Sequence, residues 1–242
     1  MGRCRTRSRH GHSASIPTQR CEWHHNRRSA TTVKDMTRVE SFYTAAYWGA
    51  RQETVEACAA RVQNFLTAIE TLSPDFSGWR KKGRSKKEAL ASGRINAHSH
   101  EALVALLSKG RSRKDVGADV IAELGFSMSA WNGGDKESVS GLSITCGLYS
   151  AVGGLSNAVV LDLPQRFDID SKEKIGNLLR AFAEAWEPDW AIVTSQSARD
   201  HQTGHGPYLD RALYISNATL APPMLPSSAI RCHLADGTLY VA

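Results

Sequence analysis

Phe126-Ser127-Met128-Ser129-Ala130-Trp131, the turn residues Asn132-Gly133-Gly134-Asp135, and then Leu142-Ser143-Ile144-Thr145-Cys146-Gly147-Leu148 mark the point where the apolar period of this chain changes. Upstream, apolar residues recur every three or four positions. Here they alternate with Ser and Thr, as in strands that bury one face. The two runs read as a β-hairpin. Just beyond it, Ala158-Val159-Val160-Leu161 is apolar without interruption, the pattern of a strand covered on both faces and set deep in a sheet.

Working outward toward the N-terminus, Val55, Cys58, Val62, Phe65, Leu66, Ile69 and Leu72 fall on one face of a helix that Ser73-Pro74 ends. A second helical region covers 86–108, broken near Ser92-Gly93, with Leu103, Leu106 and Leu107 facing inward. A third is expected over 113–124, presenting Val116, Val120, Ile121 and Leu124, with Gly125 as its C-terminal cap. Before all of these, the apolar run Phe42 to Tyr47 ends at Tyr47-Trp48-Gly49 and opens onto a helix-patterned stretch from Arg51. Trp48 is expected to pack on that first helix, and Gly49 to permit a sharp chain reversal.

Toward the C-terminus, Ser171 can cap a helix whose Ile175, Leu178, Leu179, Phe182 and Trp186 share a face, and Pro188 stops it before the strand Trp190 to Thr194. A strand over 211–216, a link through Pro222, Pro223 and Pro226, and a hairpin of 229–234 with 238–241 follow, with Asp236-Gly237 as its two-residue turn. Helices concentrate in the first half and strands in the second. The expected class is α+β, one domain over 36–242 with a mostly antiparallel or mixed sheet packed by several α-helices.

The net charge of +6 sits in one place. Residues 1–35 hold seven Arg and one Lys against Glu22 and Asp35, whereas the remainder carries 22 basic and 22 acidic side chains. That leader has almost no aliphatic residues and cannot form a core. It reads as a disordered arm, or as sequence upstream of a true start at Met36. A zinc site from Cys4, His10, Cys21 and His24 is disfavoured, because only Cys21 and His24 have ligand spacing. No run approaches the roughly 18 apolar residues of a membrane helix, and no apolar segment follows the basic N-terminus as a secretory signal requires. The expectation is a cytoplasmic protein with no membrane partner.

Gly83-Arg84-Ser85-Lys86-Lys87-Glu88 and Gly110-Arg111-Ser112-Arg113-Lys114-Asp115 repeat the order Gly-Arg-Ser-basic-basic-acid. Ser followed three residues later by an acid is a capping box, so much of the pattern is helix punctuation. Capping leaves the basic pairs unexplained, since the helix dipole disfavours cations in a first turn. A solvated face is one reading of them and an anionic partner the other.

Signals for chemistry are sparse. His201 and His205 have the spacing of two helical metal ligands, but Gly204 and Pro207 favour a loop. His98 and His100 read as surface residues, and Cys58, Cys146 and Cys232 as buried thiols on apolar faces. There is no nucleophile elbow or phosphate-binding loop, and Gly153-Gly154 lacks the spacing of a dinucleotide site. Asp162, Glu184, Glu187 and Asp189 cluster near the ends of expected strands and a helix, and a pair such as Asp162 and Asp189 could bind a metal ion, but no third ligand is evident. No enzyme, cofactor or metal is expected, with a metal-dependent hydrolase at those acids as a remote alternative.

One ordered set of short motifs resembles a known family. Tyr43-Thr44-Ala45-Ala46-Tyr47-Trp48-Gly49 with Arg51 and Glu53, Cys58-Ala59 with Arg61, Trp79 with Gly83-Arg84-Ser85, and Gly110-Arg111 with Arg113 come first. Glu123-Leu124-Gly125-Phe126, Trp131-Asn132-Gly133, Asn157 to Leu161, and Trp186 with Pro188-Asp189-Trp190 follow in order. Together these resemble the immunity protein 52 family of bacterial polymorphic toxin systems. The resemblance implies a cytoplasmic antitoxin that occludes a cognate toxin, usually a nuclease of the restriction-endonuclease fold. Arg84, Lys86, Arg111, Arg113, Trp131 and Asn132 are the candidate partner-binding residues, because Arg and aromatics dominate interface energetics. The competing reading is a nucleic-acid-binding protein that uses the leader and the two basic loops.

Overall fold

Nine strands in the order β2-β3-β4-β5-β1-β6-β7-β9-β8 hydrogen-bond into one sheet in which every neighbouring pair is antiparallel. In this computed structural model the described residues are 39–204, 206–218 and 223–242. The strands are β1 (Phe42–Trp48), β2 (Arg80–Lys81), β3 (Phe126–Trp131), β4 (Gly141–Cys146), β5 (Asn157–Asp162), β6 (Trp190–Ser195), β7 (Ala212–Ser216), β8 (Ile230–Leu234) and β9 (Gly237–Val241). The helices are α1 (Val55–Leu72), α2 (Lys86–Ala91), α3 (His100–Lys109), α4 (Lys172–Trp186) and α5 (Gln196–His201), with short 3-10 turns at Pro74–Phe76 and Ala122–Leu124. The expectation of an α+β domain with an antiparallel sheet is met. The readings of the leader, of His205 and of Pro222 lie outside the described residues.

The parity of β1 shows how the core is divided. Ala46 and Trp48 point to the face covered by the helices, whereas Tyr43, Ala45 and Tyr47 point to the other. On the helix face α1 packs against both α3 and α4. Phe65 of α1 meets Phe182 edge-on at 4.7 Å and Trp186 at 5.9 Å. Trp48 stacks on Trp186 at 5.5 Å, so its ring partner is on α4 rather than on the expected first helix. On the opposite face Tyr43, Ala45, Ile192, Leu213, Ile215 and Tyr240 form a second, smaller cluster. β5 lies beside the central strand, as expected, but Ala158 and Val160 on that second face are only half-buried.

The first helix starts at Val55 with Thr54 as its cap, later than the apolar pattern suggested. Arg51 and Glu53 serve another purpose. Arg51 Nη2 donates to the Trp186 carbonyl at 2.8 Å and Arg61 Nη1 to that of Ala185 at 2.9 Å, while Glu53 accepts from the guanidinium of each. Two cations thus satisfy the end of α4, where its unpaired carbonyls concentrate negative potential. Gly49 is held the same way: its N–H donates to Asp189 Oδ2 at 3.0 Å and its carbonyl accepts from Asn157 at 2.6 Å. The joint after β1 closes by hydrogen bonds, and the freedom of glycine is not what it uses.

The helix expected over 113–124 is absent. Arg113 bridges Val120, Lys114 N–H donates to the Asp119 carbonyl, and the chain turns through Gly117 and Ala118, both at positive φ. Gly117 in the middle of such a helix would have cost about 1 kcal/mol, and Val116, 88% exposed, has no surface to pack on. The 86–108 region divides into α2 and α3, and Leu106 is only half-buried. The final hairpin turns one residue earlier than expected, at Ala235-Asp236, with Ala235 at φ 47°. Gly237 is needed because a Cβ there would overlap the Ile215 carbonyl and the Tyr214 ring.

These sites give opposite expectations for two Gly→Ala changes. Gly176 lies inside α4 with only Leu239 Cδ2, at 3.7 Å, in front of a built Cβ. Gly176→Ala should stabilise the fold by about 0.4–1 kcal/mol, through helix propensity and a stiffer unfolded chain. Gly237→Ala should destabilise it. Urea midpoints read both, and a stabilised Gly237→Ala would contradict the packing described here.

Candidate functional site

Two segments border β3, which lies next to the sheet edge, and carry Arg84, Lys86, Arg111 and Arg113, while Trp131 ends β3 and Asn132 follows it. At its Trp131 end β2 pairs with it, Arg80 opposite Trp131 and Lys81 opposite Ala130. The chain then turns through the first Gly-Arg-Ser segment into α2. Ser85 Oγ accepts from Glu88 N–H at 3.2 Å, as the expected capping box requires, whereas the Glu88 carboxylate accepts from Arg84 N–H at 2.9 Å, one residue before the cap. Lys82, Gly83, Ser85, Lys86, Ala89 and Trp131 line a shallow cavity of about 310 Å³. Lys86 and Trp131, picked separately from the sequence, meet in it. Arg84 stands exposed on the same turn.

The second segment behaves differently. Ser127 N–H and Oγ both donate to the Gly110 carbonyl, Arg111 bridges Phe126, and the Arg111 guanidinium lies 5.0 Å from the Phe126 ring centre. Arg113 Nη1 donates to the Ala118 carbonyl at 3.0 Å. No helix follows, so Ser112 and Asp115 form no capping box, and the likeness of the two segments is one of sequence rather than of structure. Arg111 and Arg113 stand at the Phe126 end of β3. Five strand steps separate that end from Trp131, roughly 17 Å.

Asn132 is used inside the protein. Its Nδ2 donates to the carbonyls of Asp75 and Ser138, and its Oδ1 accepts from Gly134 and Ser140. It holds the loop after β3 against the 3-10 turn at Asp75, whose buried carboxylate pairs with Arg166. Trp131 is half-buried, and its indole N–H has no acceptor.

The structure extends the first segment beyond the residues selected from sequence. Arg94 bridges Arg80, which closes residues 80–94 into one patch containing Arg80, Lys81, Lys82, Arg84, Lys86, Lys87 and Arg94 against the single acid Glu88. Among the described residues none of these seven cations makes an ion pair. The rest of 36–242 carries the balancing negative charge. Charge density along the sequence was the available signal for Arg80, Lys81, Lys82 and Arg94. Close by, burial raises the pKa of Asp162 and Lys82 opposes that shift.

The acidic residues do not converge. Glu187 binds Arg61, Asp189 binds Gly49 N–H, and among the described residues no group of three or more His, Cys, Asp or Glu is placed to hold a metal ion. His201 ends a short helix with Nδ1 2.6 Å from the Ser197 carbonyl. Cys58 and Cys146 are buried, as expected, and lie side by side, but Cys232 is exposed because β8 is an edge strand. No helix among the described residues is long and apolar enough to cross a membrane.

No curated protein matches the chain significantly. Among solved structures it is similar to a Pseudomonas aeruginosa T6SS protein, PA0821, with 11% identity, a TM-score of 0.49, and coverage of 84% of this chain and 68% of that one. The family model for immunity protein 52 matches residues 40–242, a span that contains every strand, every helix and both basic segments described above. The chain therefore belongs to the immunity protein 52 family.

Proposed function

We propose that this protein is the antitoxin of a polymorphic toxin, a nuclease of the restriction-endonuclease fold, and that it acts in the cytoplasm by covering the nuclease rather than by catalysis. The observation that carries the reading is the family match over residues 40–242, from which a role in binding a cognate toxin protein follows. Geometry supports a contact surface at the basic edge of the sheet. The cations of residues 80–94 make no ion pair among the described residues and all but the half-buried Arg80 are exposed, and an acidic partner such as the metal-binding carboxylates of a nuclease complements them. Arg84, Lys86 and Trp131 form one contact, Arg111 and Arg113 a second at the far end of β3, and Asn132 keeps the loop between β3 and β4 in shape.

The unpaired cations also favour a second reading, in which they hold nucleic acid directly. Co-expression with the toxin encoded by the neighbouring gene separates the two. The antitoxin reading expects rescue from lethality and a stable complex, and a toxin left fully lethal would reject it. Reversing Arg84 and Lys86 to Glu should slow association about 10-fold or more and reduce its salt dependence, with an unchanged melting temperature. Unchanged kinetics would remove that patch from the interface. Duplex DNA binding that weakens steeply with salt, in a protein that ignores the toxin, would install the second reading.

A further inference from the structure

The face of the sheet away from α1, α3 and α4 carries a groove of about 750 Å³ over β1 and β6. Its floor is aromatic. Tyr47 lies against Trp190, directly opposite it in the strand register, with ring centres 4.4 Å apart. Tyr43 lies further along the same face of β1, beyond Ala45, beneath the Arg199 guanidinium at 5.8 Å. The Tyr208 hydroxyl, 3.2 Å from Thr194 Oγ1, fixes the far wall. The near wall is the loop through Gly154, Leu155 and Ser156, which leaves Leu155 44% exposed.

Two properties define what fits. The surface combines Tyr, Trp and Arg, the residues enriched in protein-binding hot spots, with the exposed side chain of Leu155. Its charge is asymmetric in use as well. Asp189, the acid in the lining, already accepts from Gly49 N–H, whereas Arg199 makes no ion pair among the described residues. A single available cation beside stacked aromatics complements a carboxylate next to an apolar side chain. A strand of nucleic acid would need a row of cations along its phosphates, and among the described residues of this lining Arg199 is the one cation.

We propose that this groove is a docking site for a segment of the cognate toxin that places an apolar or aromatic side chain on Tyr47 and Trp190 and a carboxylate on Arg199. The inference rests on the antitoxin reading above and adds a further contact on the face opposite α1, α3 and α4. The toxin is then gripped at the basic edge and across the groove. This arrangement gives specificity to a pairing that charge alone would leave permissive.

The test uses the full chain and, as probe, a catalytically inactive toxin domain from the neighbouring gene, with affinity measured by calorimetry. Arg199→Glu and Leu155→Asp alter exposed groups and should each weaken Kd at least 10-fold, with melting temperatures unchanged. Tyr47→Ala should weaken it further. Wild-type binding with both surface variants within twofold of it would overturn the groove and leave the antitoxin reading in place. Absence of wild-type binding would overturn both. Self-association that Leu155→Asp abolishes while toxin affinity is unaffected would assign the groove to a second copy of this chain. A shift of single-stranded oligonucleotide lost in Arg199→Glu, again with toxin affinity unaffected, would assign it to nucleic acid. Either result overturns the proposal.

Discussion

Trp186→Ala is expected to lower stability by about 3–5 kcal/mol, a large part of the roughly 5–15 kcal/mol that a domain of this kind possesses. Trp186 is fully buried at the last position of α4. It stacks on Trp48 from β1 and meets Phe65 from α1, so one side chain joins the sheet to two helices. Truncation leaves a cavity whose walls belong to three different elements, and such walls cannot collapse together. Trp186→Phe should be far milder, near 1 kcal/mol. It keeps an aromatic ring in place and removes an indole N–H that is buried without an acceptor. Urea unfolding with m-values distinguishes the two variants. A loss below about 1.5 kcal/mol for Trp186→Ala would mean that the three elements are not joined there.

Asn157→Asp is the second large effect, and it should depend on pH. Asn157 is fully buried. Its Nδ2 donates to the carbonyls of Gly49 and Leu148, and its Oδ1 accepts from Leu148 N–H at 2.9 Å. The amide pins the end of β1 and the turn after β4 to the start of β5. A carboxylate can accept the one N–H but faces two carbonyl oxygens without a donor. An unpaired buried charge of this kind costs about 3–5 kcal/mol. Burial raises the pKa of the introduced acid in the folded state above its unfolded value, near 3.9. The folded state then binds the extra proton more readily. The variant should therefore recover stability as pH falls through the raised pKa, and it should stop recovering below the unfolded value. Asn157→Ala, with no charge, should lose about 2–3 kcal/mol with no such pH dependence. Denaturation at pH 7.5 and pH 5 tests the pair, and parallel pH profiles would refute the argument.

The motifs that resemble the family now have physical content, and much of it is structural. Arg51, Glu53 and Arg61 clamp the end of α4 around Trp186, Asn157 ties three strand ends together, and Trp48 stacks under the clamp. Residues scattered across the sequence meet at one joint, where each satisfies backbone groups that the others leave open. These positions identify the scaffold. In the proposed function, partner choice falls to side chains that the scaffold does not need, such as Arg84, Lys86, Arg199 and Leu155.

Where periodicity was strong, reading the sequence worked. The apolar faces of α1 and α4, the alternation of β3 and β4, and the apolar run of β5 placed those elements correctly, because each must bury a stripe or a face whose spacing is written in the chain. The same method misread 113–124. Val116, Val120, Ile121 and Leu124 have helical spacing, but Gly117 at positive φ turns the segment back on itself and Val116 faces solvent. β2 is two residues long and exists only because β3 offers it a partner. No local pattern announces such a strand.

The candidate site divides along the same line. The sequence by itself determined the α+β class, the antiparallel hairpins, the basic segments and the ordered motifs of the family, since all of these depend on spacing and composition. Tertiary structure decided that Lys86 meets Trp131, that Arg111 and Arg113 stand at the other end of the same strand, and that Asn132 works internally. It also decided that Tyr43, Tyr47, Trp190, Arg199 and Tyr208 share a groove. Strand order and parity set those proximities: β1 and β6, adjacent in the sheet although far apart in the chain, present alternate residues to opposite faces.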